Sequence, residues 1–214
     1  MKKDLTEMVF ILDRSGSMAG METDVVGGFN SLIEKQRSEP GEALVSTVLF
    51  STESQVVHDR VRLDAVTPMT REDYCAAGCT ALLDAVGDAI RHIRNVHRYA
   101  REEDVPERTL FVITTDGMEN ASRRHTLEEV RQLIGRQQEE GWEFLFLGAN
   151  IDAIGTAGSI GIRHDRAANF HCDSQGVERS FAALDEALCM MRCVTPSITP
   201  EWKNKIDEDY NSRR

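Results

Sequence analysis

Short unbroken runs of apolar residues alternate along this chain with stretches in which apolar residues recur every three or four positions. The first run, residues 8–12, contains no polar residue. Runs of this length and evenness are typical of strands that are buried on both faces of a parallel sheet. The same pattern predicts further strands at 43–50, 109–115, 142–148 and 168–172, and a short, more polar edge strand at 54–57.

Helical periodicity fills the stretches between these strands. Apolar residues at intervals of three and four predict helices over 24–38, 81–97 and 176–192. Another helix is expected to begin at the capping box formed by Thr126 and Glu129. Its apolar positions predict an inward face made of Leu127, Val130, Leu133 and Ile134.

This alternation of strands and helices predicts an α/β fold of the Rossmann-like, doubly wound type. We expect a mostly parallel sheet in the order 3-2-1-4-5-6, with one short antiparallel edge strand and helices on both faces. Residues 1–194 are expected to form one domain. Residues 195–214 contain two prolines and many charges, and we interpret them as a loosely attached C-terminal tail.

Composition and charge narrow the possible partners. The 214 residues carry a formal net charge of −11. Nucleic acids and anionic membranes require a basic surface, so neither is an expected partner. No apolar run approaches the length of about 18 residues that a transmembrane helix requires. We therefore expect a cytoplasmic protein.

The cysteines support the same location. There are five, an odd number, and no two have the C-x-x-C spacing: Cys75, Cys79, Cys172, Cys189 and Cys193. Free thiols in a reducing compartment are the simplest interpretation. Cys75 and Cys79 have no second pair or nearby histidine to complete a zinc site. Cys189 and Cys193, four residues apart on a predicted helix, are interpreted as small buried apolar residues.

Candidate chemistry begins where the first strand ends. Asp13, Ser15 and Ser17 follow that strand at alternate positions around Gly16. One interpretation is that these side chains cap a turn and the next helix, where Asp, Ser and Gly are common. The other is that their oxygens converge on a metal ion. Oxygen-only ligands suit Mg²⁺ or Mn²⁺ better than zinc or copper.

Two further residues could join this set. Asp116 ends another predicted buried strand, which the order 3-2-1-4-5-6 places next to the first. Thr80 precedes the helix that leads to that strand, and its alternative role is a helix N-cap. In open α/β sheets, ligands bind beyond the carboxyl ends of the strands where the strand order reverses. We therefore predict a metal site made of Asp13, Ser15, Ser17, Thr80 and Asp116.

These three separated motifs resemble the metal-ion-dependent adhesion site of von Willebrand factor A domains, in their stand-alone intracellular prokaryotic form. The resemblance rests on D-x-S-x-S at 13–17, on Thr80 in G-C-T-A-L-L-D-A, and on Asp116 in T-T-D-G. It implies one divalent cation, Mg²⁺ or Mn²⁺, with hydroxyl ligands from Ser15, Ser17 and Thr80. Asp13 and Asp116 would lie close to the ion, directly or through waters.

The resemblance also implies a function. Two carboxylates roughly neutralise a divalent ion, and neutral hydroxyls leave a coordination position free for another acid. We expect a protein-binding module in which the metal bridges to an Asp or Glu of a partner protein. Such a module could be an accessory subunit of a larger complex. The segments 64–78 and 117–125 are expected to border the site.

The alternative is an enzyme that uses the same ion as a Lewis acid, a hydrolase or phosphotransferase. The sequence has no G-x-S-x-G elbow and no P-loop. Only Glu119 and His125 lie near Asp116 in the sequence as acid–base candidates, and a loop histidine is more often solvated. We therefore expect that the protein is not an enzyme.

Overall fold

The computed structural model of the chain describes residues 1–194 and 198–213. Within them six strands form one sheet, and their bounds are β1 (Lys2–Asp13), β2 (Glu42–Phe50), β3 (Ser54–Arg62), β4 (Pro106–Thr115), β5 (Glu143–Ala149) and β6 (Ala167–Phe170). The order across the sheet is β3-β2-β1-β4-β5-β6. β2 and β3 are antiparallel, and every other neighbouring pair is parallel. The predicted fold class and strand order are confirmed.

The apolar run of β1 explains its central position. Phe10 lies between Thr47 of β2 and Val112 of β4, so the strand is hydrogen-bonded on both sides. Alternate residues point to opposite faces, and both faces of the run are fully buried. Phe10 joins the apolar cluster on one face of the sheet, and Ile11 joins the cluster on the other.

Helices cover both faces, as predicted. They are α1 (Glu22–Arg37), α2 (Leu82–Tyr99), α3 (Leu127–Glu139), α4 (Ala153–Ser159), α5 (Ser174–Cys189) and α6 (Asn204–Ser212). Apolar residues of α1, α5 and α6 share one core cluster with the sheet, and those of α2, α3 and α4 share the other. The two layers are the two faces of a doubly wound sheet. No helix among the described residues is both long and apolar enough to cross a membrane.

The edge strand β3 is longer than predicted. It spans nine residues rather than the four at 54–57, because its backbone pairs with β2 through the charged segment 58–62. The pairing is irregular there. Arg60 has a φ of +51°, and its N–H donates to Ser46 Oγ at 3.0 Å. The strand therefore continues through a polar segment that contains a bulge, and the apolar pattern predicted its end too early.

One predicted core position is wrong. Leu127 is 48% exposed, whereas Val130, Leu133 and Ile134 are buried. The capping box of Thr126 and Glu129 is present as predicted. Leu127 is the first residue of α3, where the helix has only begun to approach the sheet. Periodicity alone does not show that a residue in the first turn of a helix is more exposed than residues on the same face in later turns.

The segment predicted to be a loose tail is packed on the sheet. The predicted boundary at 195 lies outside the described residues, but 198–213 form a short 3₁₀ turn followed by α6. Trp202 is 0% exposed, and Ile206 is also buried in the core shared by α1 and α5. The Trp202 Nε1–H donates to the carbonyl of Asp165 at 2.9 Å. The expectation of loose attachment is therefore wrong for 198–213.

Candidate metal centre

The five predicted site residues lie on three loops at one edge of the sheet. Asp13 is the last residue of β1, and Asp116 directly follows β4. β1 and β4 are neighbours, and the chain leaves them toward opposite sides of the sheet. Thr80 lies two residues before α2. These loops therefore meet at the reversal of strand order, where open α/β sheets bind ligands.

Asp13 is held in place by neighbours on all sides. Its side chain is 1% exposed. Oδ1 accepts the N–H of Ser15 at 2.7 Å, and Oδ2 accepts the hydroxyl of Thr115 at 2.6 Å. The Tyr74 hydroxyl donates to the backbone carbonyl of Asp13. The carboxylate therefore has one fixed orientation at the end of the strand.

The two serines connect the first loop to Asp116. Ser17 Oγ donates to Asp116 Oδ1 at 2.6 Å and lies 3.1 Å from Ser15 Oγ. Ser15 is buried, whereas Ser17 is exposed. Hydroxyls and carboxylates of two loops that are 99 residues apart are thus in direct contact. The predicted convergence of these residues is observed.

Thr80 does not cap the helix that follows it. The N-cap of α2 is Ala81, and no side chain of that residue caps the helix. A Cβ atom placed on Gly117 would lie 3.0 Å from Thr80 Oγ1 and 3.6 Å from Ser17 Oγ. The Thr80 hydroxyl therefore borders the same space as Ser17. The N-cap interpretation of Thr80 is wrong, and its hydroxyl remains available as a ligand.

A brace between the second and third loops fixes Thr80. The Thr80 N–H donates to Asn120 Oδ1 at 2.9 Å, and the Asn120 N–H donates to the carbonyl of Thr80 at 3.0 Å. Glu119 Oε2 accepts the N–H of Leu83 at 2.9 Å and so supplies the missing cap of α2. Asp84 accepts three backbone N–H groups, from residues 123–125. The sequence analysis missed this brace.

The site fits a cation because it contains two buried carboxylates and no cation of its own. Within 1–194 and 198–213, no basic side chain forms an ion pair with Asp13 or Asp116. The nearby guanidinium of Arg14 donates instead to Gln55 Oε1 and to the carbonyl of Asp73. Buried charges are normally paired or bound to a metal. The donor set of carboxylates and hydroxyls is that of a hard cation.

The described residues contain no cluster suited to a soft metal. In the described part of the chain, no three or more His, Cys, Asp or Glu side chains are placed to hold a metal. Cys75 and Cys79, which have a spacing of four, are both exposed and free. Cys189 is half-buried rather than fully buried, and the side chain of Cys193 lies outside the described residues. The hydroxyl-rich site is therefore the candidate centre.

Burial raises the pKa of both carboxyl groups. For Asp13 it outweighs the hydrogen bonds from Thr115 and Ser15, and the charge of Asp116 raises the pKa further. For Asp116 burial likewise outweighs the hydrogen bond from Ser17. In the metal-free protein both groups hold protons more tightly when folded than when unfolded. Their contribution to stability is then present at low pH and is lost as the pH rises through the folded pKa.

The raised pKa values of Asp13 and Asp116 predict that the effect of Mg²⁺ on stability depends on pH. We expect Mg²⁺ to raise the melting temperature more at pH 8 than at pH 5, because at pH 5 protons compete for the raised carboxyls. At a concentration 100 times the Kd, Mg²⁺ stabilises by about 2.7 kcal/mol. That corresponds to a shift of roughly 5–10 °C for a domain of this size. Thermal unfolding in Mg²⁺ and in EDTA across this range measures the shift, and an equal shift at both pH values would contradict it.

The two acid–base candidates from the sequence are occupied elsewhere. The Glu119 carboxylate accepts hydrogen bonds from Leu83, Ala121 and Ser122. His125 is buried rather than solvated, and its Nε2 is 2.9 Å from Asp88 Oδ1. The expectation of a solvated loop histidine is wrong. Neither side chain is placed to serve as a base beside the site.

Cys172 is an additional neighbour of the site that the sequence analysis missed. It follows β6, and its Sγ lies 3.8 Å from Asp116 Oδ2. Burial and the charge of Asp116 raise the pKa of Cys172 to about 11. The thiol is therefore protonated at neutral pH and can donate to the second oxygen of Asp116. No local pattern around Cys172 indicates this contact, because it joins the loops after β4 and β6, two strands that are separated by β5 in the sheet.

The sequence matches no protein-family model and no curated protein, but solved structures share its fold. Proximal thread matrix protein 1 from the mussel byssus, solved with a zinc-occupied MIDAS motif, is 14% identical, with a TM-score of 0.57 over 86% of this chain. This chain spans only 46% of that protein.

Two single-domain structures align over most of both chains. The vWF domain of the type V pili tip protein Mfa5 from Porphyromonas gingivalis is 8% identical, with a TM-score of 0.61 over 90% of this chain and 98% of that one. The SpRpn10 VWA domain is 12% identical, with a TM-score of 0.55 over 84% of this chain and 94% of that one. At these identities the likeness is one of fold.

Proposed function

We propose that this chain, which has the von Willebrand factor A fold, is a metal-dependent protein-binding module and not an enzyme. The observation that carries the proposal is a pair of buried carboxylates, Asp13 and Asp116, without a cationic partner among the described residues. Asp13 accepts the N–H of Ser15, Asp116 accepts the hydroxyl of Ser17, and the two serine hydroxyls are in contact. Buried carboxylates are normally paired with a basic group or bound to a metal, so this donor set suits a cation. The fold and the position at the strand reversal support the same conclusion.

The ligands we assign are the five predicted from the sequence. Asp13, Ser15, Ser17, Thr80 and Asp116 all border one space at the end of β1 and β4. We infer Mg²⁺ or Mn²⁺, because the donors are hard oxygens. The zinc in the mussel protein belongs to that protein. A divalent cation held here would supply an open coordination position for a carboxylate.

The residues around the site favour binding over catalysis. Ser17 is exposed, so the site opens to solvent and a large partner can reach it. Glu119 and His125 are committed to the brace and to Asp88, which leaves neither as a general base. We therefore infer that a partner protein contributes an Asp or Glu to the site. The partner could belong to a larger complex in which this chain is an accessory subunit.

We also propose a cytoplasmic location without nucleic acid or membrane as partner. The four cysteines whose side chains are described are free, which fits a reducing compartment. The net charge of −11 opposes binding to polyanions.

The test uses Thr80→Val, which removes one ligand hydroxyl and keeps the side-chain shape. Wild type and variant are immobilised, incubated with native lysate in Mg²⁺ or in EDTA, and the retained proteins are identified by mass spectrometry. We expect one set of proteins to be retained only by the wild type in Mg²⁺. The two backbone bonds of Thr80 to Asn120 do not involve the hydroxyl, so the loop should keep its conformation.

Thr23→Val on the exposed surface of α1 is the control, and it should retain the same proteins as the wild type. Retention of identical proteins in EDTA, or by Thr80→Val, would show that the metal does not bridge to a partner. Turnover of a generic phosphoester that requires Mg²⁺ and is lost in Thr80→Val would instead establish the enzyme alternative.

A further inference from the structure

A groove of about 500 Å³ lies between α2 and the edge strand β3. One wall is a single stripe of α2 at helical spacing, which consists of Ala85, Asp88, Ala89, His92 and Ile93. From residue 85 to residue 93 this stripe is roughly 12 Å long, at 1.5 Å per residue. The groove is therefore elongated, and its length matches three or four residues of an extended chain.

The base of the groove is aliphatic and partly open to solvent. Val9 and Val48 line it from β1 and β2, and Val56 lines it from β3. Val56 is 60% exposed, although edge strands usually present polar or charged residues to solvent. An exposed aliphatic side chain that continues into a buried aliphatic base is a typical feature of a binding groove.

The rim of the groove is acidic. The carboxylates of Glu53, Asp59 and Asp88 face a single guanidinium, that of Arg124. Arg124 is bound to Asp88 at 2.6 Å, and His92 spans from α2 to Asp59 at 2.8 Å. The side chains of Asp59, Asp88, His92 and Arg124 are about half exposed, and Glu53 is also exposed, in the turn before β3. The rim thus complements a cationic ligand.

The groove is separate from the metal centre. It begins near the same edge of the sheet, where the Ala81 N–H donates to the carbonyl of Ser51. None of its lining residues is one of the five proposed metal ligands. The two sites share no proposed ligand, so each can be tested with the other left unchanged.

We propose that this groove binds a segment of a partner protein that carries aliphatic side chains and a Lys or Arg. The aliphatic side chains cover Val56 and the wall formed by Ala85, Ala89 and Ile93. The cation lies at the rim beside Glu53 or Asp59. The surface is a second, metal-independent contact, in addition to the one proposed at Asp13 and Asp116.

The experiment is selection from a phage-displayed library of random peptides on the immobilised full chain. It is carried out in EDTA, so that the metal centre does not contribute. We expect the enriched peptides to combine aliphatic residues with Lys or Arg and to lack excess acid. The best peptide is then synthesised with a fluorophore, and its Kd is measured by anisotropy at two salt concentrations.

Substitutions in the groove test whether the peptide binds there. Val56→Lys inserts a cation at the exposed aliphatic position and should weaken binding at least about tenfold. Glu53→Gln removes one rim charge and should weaken binding by roughly threefold at low salt, with less effect at high salt. Leu127→Lys is the matched control, because it makes the same kind of change at an exposed leucine on α3. It should leave the Kd unchanged.

Three outcomes would overturn the proposal. Equal binding to wild type and Val56→Lys would place the peptide elsewhere. Enrichment of acidic peptides would show that the rim does not select a cation. An absence of any enrichment over a Val56→Lys counter-target would show that the groove takes no peptide. None of these outcomes bears on the metal-dependent contact, because EDTA is present throughout.

Discussion

Asp13→Ala should lose Mg²⁺ binding and remain folded. The substitution removes a proposed ligand whose oxygens have fixed orientations through Ser15 and Thr115. Loss of a partner that merely orients a metal ligand typically costs 10- to 100-fold in affinity. Loss of the carboxylate itself should therefore weaken binding by at least about 100-fold. Isothermal titration calorimetry with Mg²⁺ or Mn²⁺ measures this change.

The fold should survive the substitution because two opposing effects nearly balance. The Ser15 N–H loses its acceptor, which costs about 1–3 kcal/mol when the group stays buried. Thr115 keeps contacts with Gly117. The protein also no longer buries a carboxylate whose pKa is raised by its surroundings. Because the two effects oppose each other, we expect the unfolding free energy to change by less than about 2 kcal/mol.

Asp13→Asn is the matched control, since it removes the charge and keeps an acceptor for the Ser15 N–H. The amide nitrogen replaces the oxygen that accepts the Thr115 hydroxyl, but that hydroxyl has a second acceptor in the carbonyl of Gly117. It should lose metal affinity like Asp13→Ala but unfold at a temperature closer to the wild type. A Kd for Mg²⁺ within a factor of three of wild type in both variants would remove Asp13 from the site. Unfolding of both variants, seen by circular dichroism, would make the residue structural instead.

Trp202→Ala should destabilise the whole domain. Trp202 is 0% exposed in the core between the sheet and α5, and its Nε1–H has a buried acceptor, the Asp165 carbonyl. Replacement of a buried aromatic residue by Ala typically costs 3–5 kcal/mol. For a domain of this size, that lowers the melting temperature by roughly 6–20 °C. Circular dichroism or calorimetry on the full chain measures the loss.

Trp202→Phe separates the hydrogen bond from the packing. It keeps an aromatic ring in the core and loses the N–H donor with a smaller part of the ring volume. The destabilisation should therefore be smaller than in Trp202→Ala, about 1–2 kcal/mol. The affinity for Mg²⁺ should not change in either variant, because the segment 198–213 contains none of the five proposed ligands. An unchanged melting temperature in Trp202→Ala would restore the interpretation of this segment as a loose tail.

The centre of the fold was predictable because its signals are local and strong. The uninterrupted apolar run before Asp13 is typical of a strand buried on both faces, and the shorter apolar run at 110–113 before Asp116 is similar. Once these two strands are neighbours, both carboxylates must lie at the same edge of the sheet. The convergence of Ser17 and Asp116 follows from this topology.

The brace around Thr80 was not predictable from local patterns. A threonine before an apolar helical stripe is typical of an N-cap. In the structure the cap of α2 comes instead from Glu119, which lies 36 residues further along the chain. Glu119 reads in the sequence only as a loop acid near Asp116. Contacts between loops depend on the three-dimensional path of each loop. Loop sequences have no regular spacing of apolar residues from which that path could be predicted.

Trp202 and Ile206 show a different limit. Their surroundings in the sequence are charged and contain prolines, which is typical of a solvated tail. The segment nevertheless packs on the sheet, because Trp202 and Ile206 are buried in the core and Arg213 forms an ion pair with Asp173. A few buried apolar residues are easily missed when a segment is interpreted from its average composition, which here is charged.

The order of strands in the sheet has a consequence for folding while the chain is being synthesised on the ribosome. β1, the first strand to be made, lies between β2 and β4, and its partner β4 begins at Pro106. Such long-range pairing makes folding slow, and the apolar β1 must wait without its final cover while the chain grows. The loops of Asp13 and Asp116 cannot meet before both strands have emerged. A nascent chain that stalls before β4 could pair β1 with β2 but would leave the other edge of β1 open, and an open apolar edge is prone to aggregation.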